Sequence, residues 1–165
     1  MDIPASIGKL TALFRKFGAP DPASWATSQV EEGIPQLQRF LFLRQAWRNI
    51  VPRDDVSWIG RAIDETARRP TAPYSSVGAV LKRCRERGMS DQDLTDLARG
   101  LQAEMLFALC YLLDDPAFDE PELADFSWGL FEVDSDGKPR GARIGALHES
   151  VLETDPTGRE MRPRS

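Results

Sequence analysis

A chain of 165 residues with 41% hydrophobic and 28% charged residues is the size of one folded domain and too apolar for wholesale disorder. Its 21 Lys+Arg against 26 Asp+Glu leave a formal charge of −5, which opposes non-specific affinity for nucleic acid. The longest strongly apolar stretch, Met105 to Leu113, is about half of what a bilayer-spanning helix needs, and Met1-Asp2-Ile3-Pro4 lacks the basic-then-apolar pattern of a secretory leader.

The first segment reads as a helix: Pro4 suits a first turn, and Ile7, Leu10, Phe14 and Phe17 recur at three- and four-residue steps before Gly18 and Pro20. Asp21-Pro22 is an N-cap followed by a first-turn proline, opening a short helix through Trp25 to Glu32 that Gly33 ends. Pro35 starts a third helix, with Leu37, Phe40, Leu41, Leu43, Ala46, Trp47 and Ile50 on a wide apolar face and Pro52 as its stop. Asp54 or Asp55 caps a fourth, with Val56, Ile59, Ala62 and Ile63 inward and Pro70 beyond it. A fifth runs from about Ser75 to Arg87, with Val77, Val80, Leu81 and Cys84 as its stripe, and Gly88 closes it.

Ser90-Asp91-Gln92-Asp93 then has the spacing of a capping box. Leu94, Leu97, Ala98, Leu101, Met105, Ala108, Leu109 and Leu112 keep a helical period for more than five turns. This sixth helix is expected to be the central, most buried one, so that Leu109→Ala would cost about 2–5 kcal/mol. Residues 114–125 form an acidic, proline-punctuated connection. Trp128 to Val133 and Arg143-Ile144 read as two strands around a turn at Asp134 to Gly141, a hairpin spanning about 126–146. Ala146 to Glu153 suits a last short helix, and residues 154–165 have the composition of a mobile tail. A two-stranded hairpin needs helices to pack on. The expected architecture is thus mainly α, with six or seven helices in a single domain over residues 1–153 and a small C-terminal β-hairpin.

Patterns that carry chemistry are weak. Glu132 to Gly137 imitates the start of a calcium loop, but Arg143 stands where a bidentate Glu must close the cage, so Asp136-Gly137 reads as a hairpin turn. His148, the one histidine, is followed at the zinc-helix spacing by Leu152, and Cys84 and Cys110 sit on different helices without a metal-binding spacing. No metal or cofactor is therefore expected. His148 flanked by Glu149 or Glu153 admits an enzyme that activates Cys110 or a serine, but Cys110 lies in the most apolar helix and there is no Gly-x-Ser-x-Gly elbow. Lys82-Arg83-Cys84-Arg85-Glu86-Arg87 suggests phosphate or RNA contact, yet it falls at a helix C-terminus, where cations complement the macrodipole. The pairs Asp54-Asp55 and Asp114-Asp115 sit at helix ends, where capping and turn roles account for them.

Charge sorted by position is the most informative feature. Residues 1–88 carry 14 basic against 9 acidic residues, residues 137–165 carry 6 against 4, and residues 89–136 carry Arg99 alone against 13 acids. Such a stretch attracts a cationic partner, and Phe118, Phe126 and Trp128 at its end supply aromatic anchors. The expected function is a cytoplasmic protein-binding module, of the inhibitor or immunity type, that neutralises a basic protein. Its binding residues would be Asp114, Asp115, Asp119, Glu120, Glu122, Asp125 and Trp128. The alternatives are a small enzyme built on His148 and a regulatory or nucleic-acid-associated helical protein. The competing bland reading is that these acids are the solvated side of a helix and a loop.

Overall fold

The computed structural model describes residues 3–163 and the side chains of residues 6–163. Met1 and Asp2, and Arg164 and Ser165 of the expected tail, lie outside the described residues. The chain is mainly α, with seven helices and one two-stranded antiparallel sheet among the described residues: α1 (Ile3–Phe17), α2 (Pro22–Glu31), α3 (Gln36–Trp47), α4 (Ser57–Arg68), α5 (Ser75–Glu86), α6 (Asp91–Asp114), β1 (Leu130–Val133), β2 (Pro139–Ile144) and α7 (Leu147–Ser150). Among the described residues no helix is long and apolar enough to cross a membrane. The chain divides into two compact units, Met1–Trp47 with Leu106–Ser165, and Arg48–Met105.

In the first unit the caps read from sequence are in place. Asp21 accepts a hydrogen bond from Ser24 N at 3.1 Å, and Pro22 occupies the first turn of α2. The apolar steps of α1 deliver Phe14 to a cluster with Trp25 of α2 and Phe40 of α3. Their rings meet edge to face at 5.7–5.9 Å, the geometry that ring quadrupoles prefer. Leu43, Leu147 and Val151 are fully buried in the same unit. Trp47 donates its indole N–H to Val151 O at 3.1 Å and Thr154 Oγ1 at 3.2 Å. The segment read as a tail thus begins with buried residues, Thr154 and Asp155. Asp155 accepts from Thr157 N, Thr157 Oγ1 and Met161 N, which folds residues 155–161 into successive turns.

The hairpin is shorter than the span predicted for it. Its strands pair Leu130 with Ile144, Glu132 with Arg140 and Val133 with Pro139, with an irregularity between Leu130 and Glu132. Gly137 takes φ 77° in the turn, which a side chain at that position would resist.

The second unit packs α4 on α5 around Ile59, Leu81 and Leu94. The two helices approach closely at Gly78, where an added Cβ would stand 2.2 Å from both Ala62 O and Thr66 Oγ1. Ser90 supplies one arm of the expected box at the start of α6, Asp93 N donating to Ser90 Oγ at 3.0 Å, while the Asp93 carboxylate accepts from the Ser90 hydroxyl at 2.6 Å.

The sixth helix corrects the sequence reading. It was expected to bury its large apolar residues, but it buries Thr95, Arg99, Ala103 and Cys110, with Leu94 the member of the predicted stripe that goes fully inside. Leu97, Leu101, Met105, Leu109 and Leu112 are 48–61% exposed. The buried Thr95 and Arg99, with the exposed Gln102 beside them, account for the rotation, because each has a partner on that side. Arg99 donates to Val51 O at 3.0 Å, Gln102 accepts from Val51 N at 2.8 Å, and Thr95 Oγ1 accepts from the Trp58 indole at 3.0 Å. The backbone N–H and C=O of Val51 are thus both satisfied from the face of the helix that carries its polar residues.

Candidate functional site

In the first unit the C-terminus of α6 is a junction. Asp115-Pro116 ends the helix, because the residue before a proline is held out of the helical region. The last carbonyls of α6 are then satisfied from the segment that follows. Trp128 donates its indole N–H to Leu112 O at 2.8 Å, and Arg143 of β2 donates to Leu113 O at 2.6 Å and Asp114 O at 2.5 Å. A cation on these carbonyls also complements the negative end of the helix. The connection 115–129 is therefore anchored at both ends on one helix terminus, with a short 3₁₀ turn over Pro121–Leu123 in its middle.

Five of the seven residues named from sequence, Asp115, Asp119, Glu120, Glu122 and Asp125, are exposed on this connection. Trp128 is partly covered: the edge of its ring meets Phe118 at 5.2 Å, nearly perpendicular, while Phe126 is 64% exposed. The outer side of the last turns of α6 adds Phe107, Leu109, Tyr111 and Leu112, all exposed by two-fifths or more.

Asp114 is not part of that exposed set. Its side chain is 7% exposed, and its Oδ2 accepts both from His148 N at 2.9 Å and from the ring at Nδ1, 2.7 Å away. The carboxylate caps the first turn of α7 and orients the only histidine. Phe107 and Tyr111 place ring edges against the imidazole at 5.8 and 5.0 Å. Cys110, one turn before Asp114, is buried, and burial with the Asp114 charge as a lesser cause pushes its thiol up to about 11. That is the wrong direction for a nucleophile, which needs its thiolate. Arg39 of α3 is buried in the same unit. Desolvation lowers its pKa from the ordinary guanidinium value, and the charges of Glu149, Asp114 and Glu153 oppose that shift. Glu153 is in turn held by the Trp25 indole at 2.9 Å. Of the carboxylates around His148, Asp114 thus serves α7 and Glu153 is bonded to α2.

Two acids of the hairpin, Glu132 and Asp134, are also occupied. Glu132 pairs with Arg140 and accepts from Gln38 at 3.0 Å, and these bonds hold its carboxyl below the usual range. Asp134 accepts from the backbone N–H groups of Asp136 and Lys138, as a turn residue does. Among the described residues no three potential metal ligands gather. In the basic run, Arg85 makes a two-pronged bridge to Asp91 at 2.7 Å, and Lys82 lies 4.0 Å from Glu86.

Sequence reasoning missed Gln38, Arg39 and Arg143 as organisers of this region. Each is polar within a segment judged by its apolar period, and its partner lies far along the chain. No family model, curated protein or solved structure matches this chain, so its chemistry is read from these residues alone.

Proposed function

We propose that the chain is a protein-binding module whose partner is a basic protein, in the manner of an inhibitor or an immunity protein that covers a cationic surface, and that it acts in the cytoplasm. One observation carries this reading: five exposed carboxylates and the exposed aromatic rings of Phe118, Phe126 and Trp128 share a single connection fixed at both ends to the terminus of α6. Charge of one sign steers encounter, and rigid aromatic anchors provide the desolvated contact that charge alone does not. Pre-anchoring the loop reduces the ordering entropy that binding must overcome. The enzyme alternative loses ground because the exposed acids belong to the connection, while the one acid on the His148 ring, Asp114, also serves α7.

The test is affinity capture from the native host with immobilised wild type, Phe126→Ala, and the fourfold reversal Asp119→Lys, Glu120→Lys, Glu122→Lys, Asp125→Lys. The expected result is one basic protein retained by the wild type, released by salt and lost from both variants. Retention that ignores salt and both variants overturns the reading. So does substrate turnover that His148→Ala abolishes.

A further inference from the structure

The second unit carries an apolar groove that the acidic surface of the first does not explain. Between α5 and α6 lies an open cavity of about 500 Å³, walled by carbon-rich side chains, among them Val77 and Val80 of α5, Met89 of the turn, and Leu97 and Leu101 of α6. These five are 44–58% exposed, and Met105, one turn beyond Leu101, is 61% exposed. We propose that this groove is a self-association surface in which a second copy of the chain lays its own α6 antiparallel along it about a two-fold axis.

Three features of the unit favour a second copy over another occupant. Along the part of α6 that borders the groove, Leu97, Leu101 and Met105 are exposed at four-residue steps, so a two-fold axis at Leu101 sets Leu97 on Met105 of the other copy and Leu101 on itself. A two-fold contact of this kind uses the same patch twice and needs only that the patch be self-complementary. Charge supplies that complementarity. At the C-terminal end of α5 the exposed neighbours of the groove are Arg83, three residues from Val80, and the C-cap Arg87, three from Cys84, whereas on α6 an exposed charged neighbour of Leu101 is Glu104. The antiparallel arrangement brings Glu104 of one copy toward the basic end of α5 in the other. The area is also sufficient. The exposed parts of the six apolar side chains amount to roughly 500 Å² a copy, so the contact closes on the order of 1,000 Å², the lower bound for a specific interface.

Sedimentation of the full chain over a concentration series tests this, with circular dichroism as the control for folding. The wild type is expected to shift from monomer to dimer. Leu101→Glu sets two carboxylates against each other on the axis and is expected to stay monomeric at concentrations a hundredfold above the wild-type midpoint, with its helical signal intact. Arg83→Glu with Arg87→Glu should weaken the dimer at least tenfold, and adding Glu104→Arg should restore it. Under mild oxidation Leu101→Cys should cross-link to itself, whereas Val133→Cys, at a position just as exposed but on β1, should not. A wild type that remains monomeric throughout overturns the proposal, also where an amphipathic peptide or a small apolar probe is found to fill the groove. So does a dimer that survives Leu101→Glu, or a charge swap that fails to rescue.

Discussion

Asp114 illustrates how one residue changes meaning once its surroundings are known. As a letter beside Asp115 it is one of thirteen acids on a repelling stretch; in the fold it is a cap that also fixes an imidazole. Removing it leaves a part-buried N–H without this acceptor, so Asp114→Ala is expected to cost about 1–3 kcal/mol in urea unfolding, while Asp115→Ala costs less than about 0.5 kcal/mol. Cys110 makes a second prediction at this scale. Its folded pKa is raised to about 11 from an ordinary 9.0, so the fold favours the neutral thiol. That contribution is whole below about pH 9 and is lost as the pH rises through 11, the thiolate having no place in the fold. Unfolding midpoints of wild type and Cys110→Ala followed from pH 8 to pH 11 should therefore converge, the wild type losing more. In the native protein at pH 8, Cys84, which is half-buried, should react with a thiol reagent well before Cys110.

At the scale of the element, α6 decides how the chain is understood. Its period named a helix and its capping box named the start, and both are present. What the period does not carry is which side faces in. A helix with apolar residues over most of its circumference offers two candidate inner faces, and the choice fell to Thr95, Arg99 and Gln102, whose partners Trp58 and Val51 lie some 40–50 residues upstream. Caps and turns were legible because they are local: Asp21, Ser90 and Gly137 act within three residues. The acidic connection was legible as composition, but its anchoring by Trp128 and Arg143 was not, since the partners of both are backbone carbonyls, which leave no mark in a sequence. The rotation of α6 carries a measurable consequence. Leu109→Ala, with half of the side chain already in water, is expected to cost less than about 1 kcal/mol, whereas Phe14→Ala in the aromatic cluster should cost about 3–5 kcal/mol. Gly78 is the matching case between α4 and α5. A methyl group there meets the backbone carbonyl of Ala62, which cannot swing away as a side chain would, so Gly78→Ala should destabilise by about 3 kcal/mol, the upper end of overpacking.

For the molecule as a whole, acidity belongs to one unit. Met1–Trp47 with Leu106–Ser165 holds 11 basic against 17 acidic residues, while Arg48–Met105 holds ten against nine. In the proposed complex, a field concentrated on the unit that also bears the exposed aromatic connection would act on the rate of encounter, and the aromatic contact on the lifetime. The two contributions are therefore separable by kinetics. With the basic partner in hand, raising ionic strength from 0.05 to 0.5 M should slow association by roughly tenfold or more and change dissociation much less, because screening reaches only the long-range part of the attraction. Reversing Asp115, Asp119, Glu120 and Glu122 to Lys carries the formal net charge from −5 to +3 and should reproduce the slow association at low salt, without a loss of thermal stability, since all four side chains are exposed. Phe126→Ala should do the opposite, leaving association near its wild-type rate and raising dissociation by tenfold or more, because the side chain is 64% exposed and its loss removes contact but no charge. An association rate indifferent to salt in the wild type, or a reversal that slows dissociation and association alike, would remove the acidic connection from the binding surface.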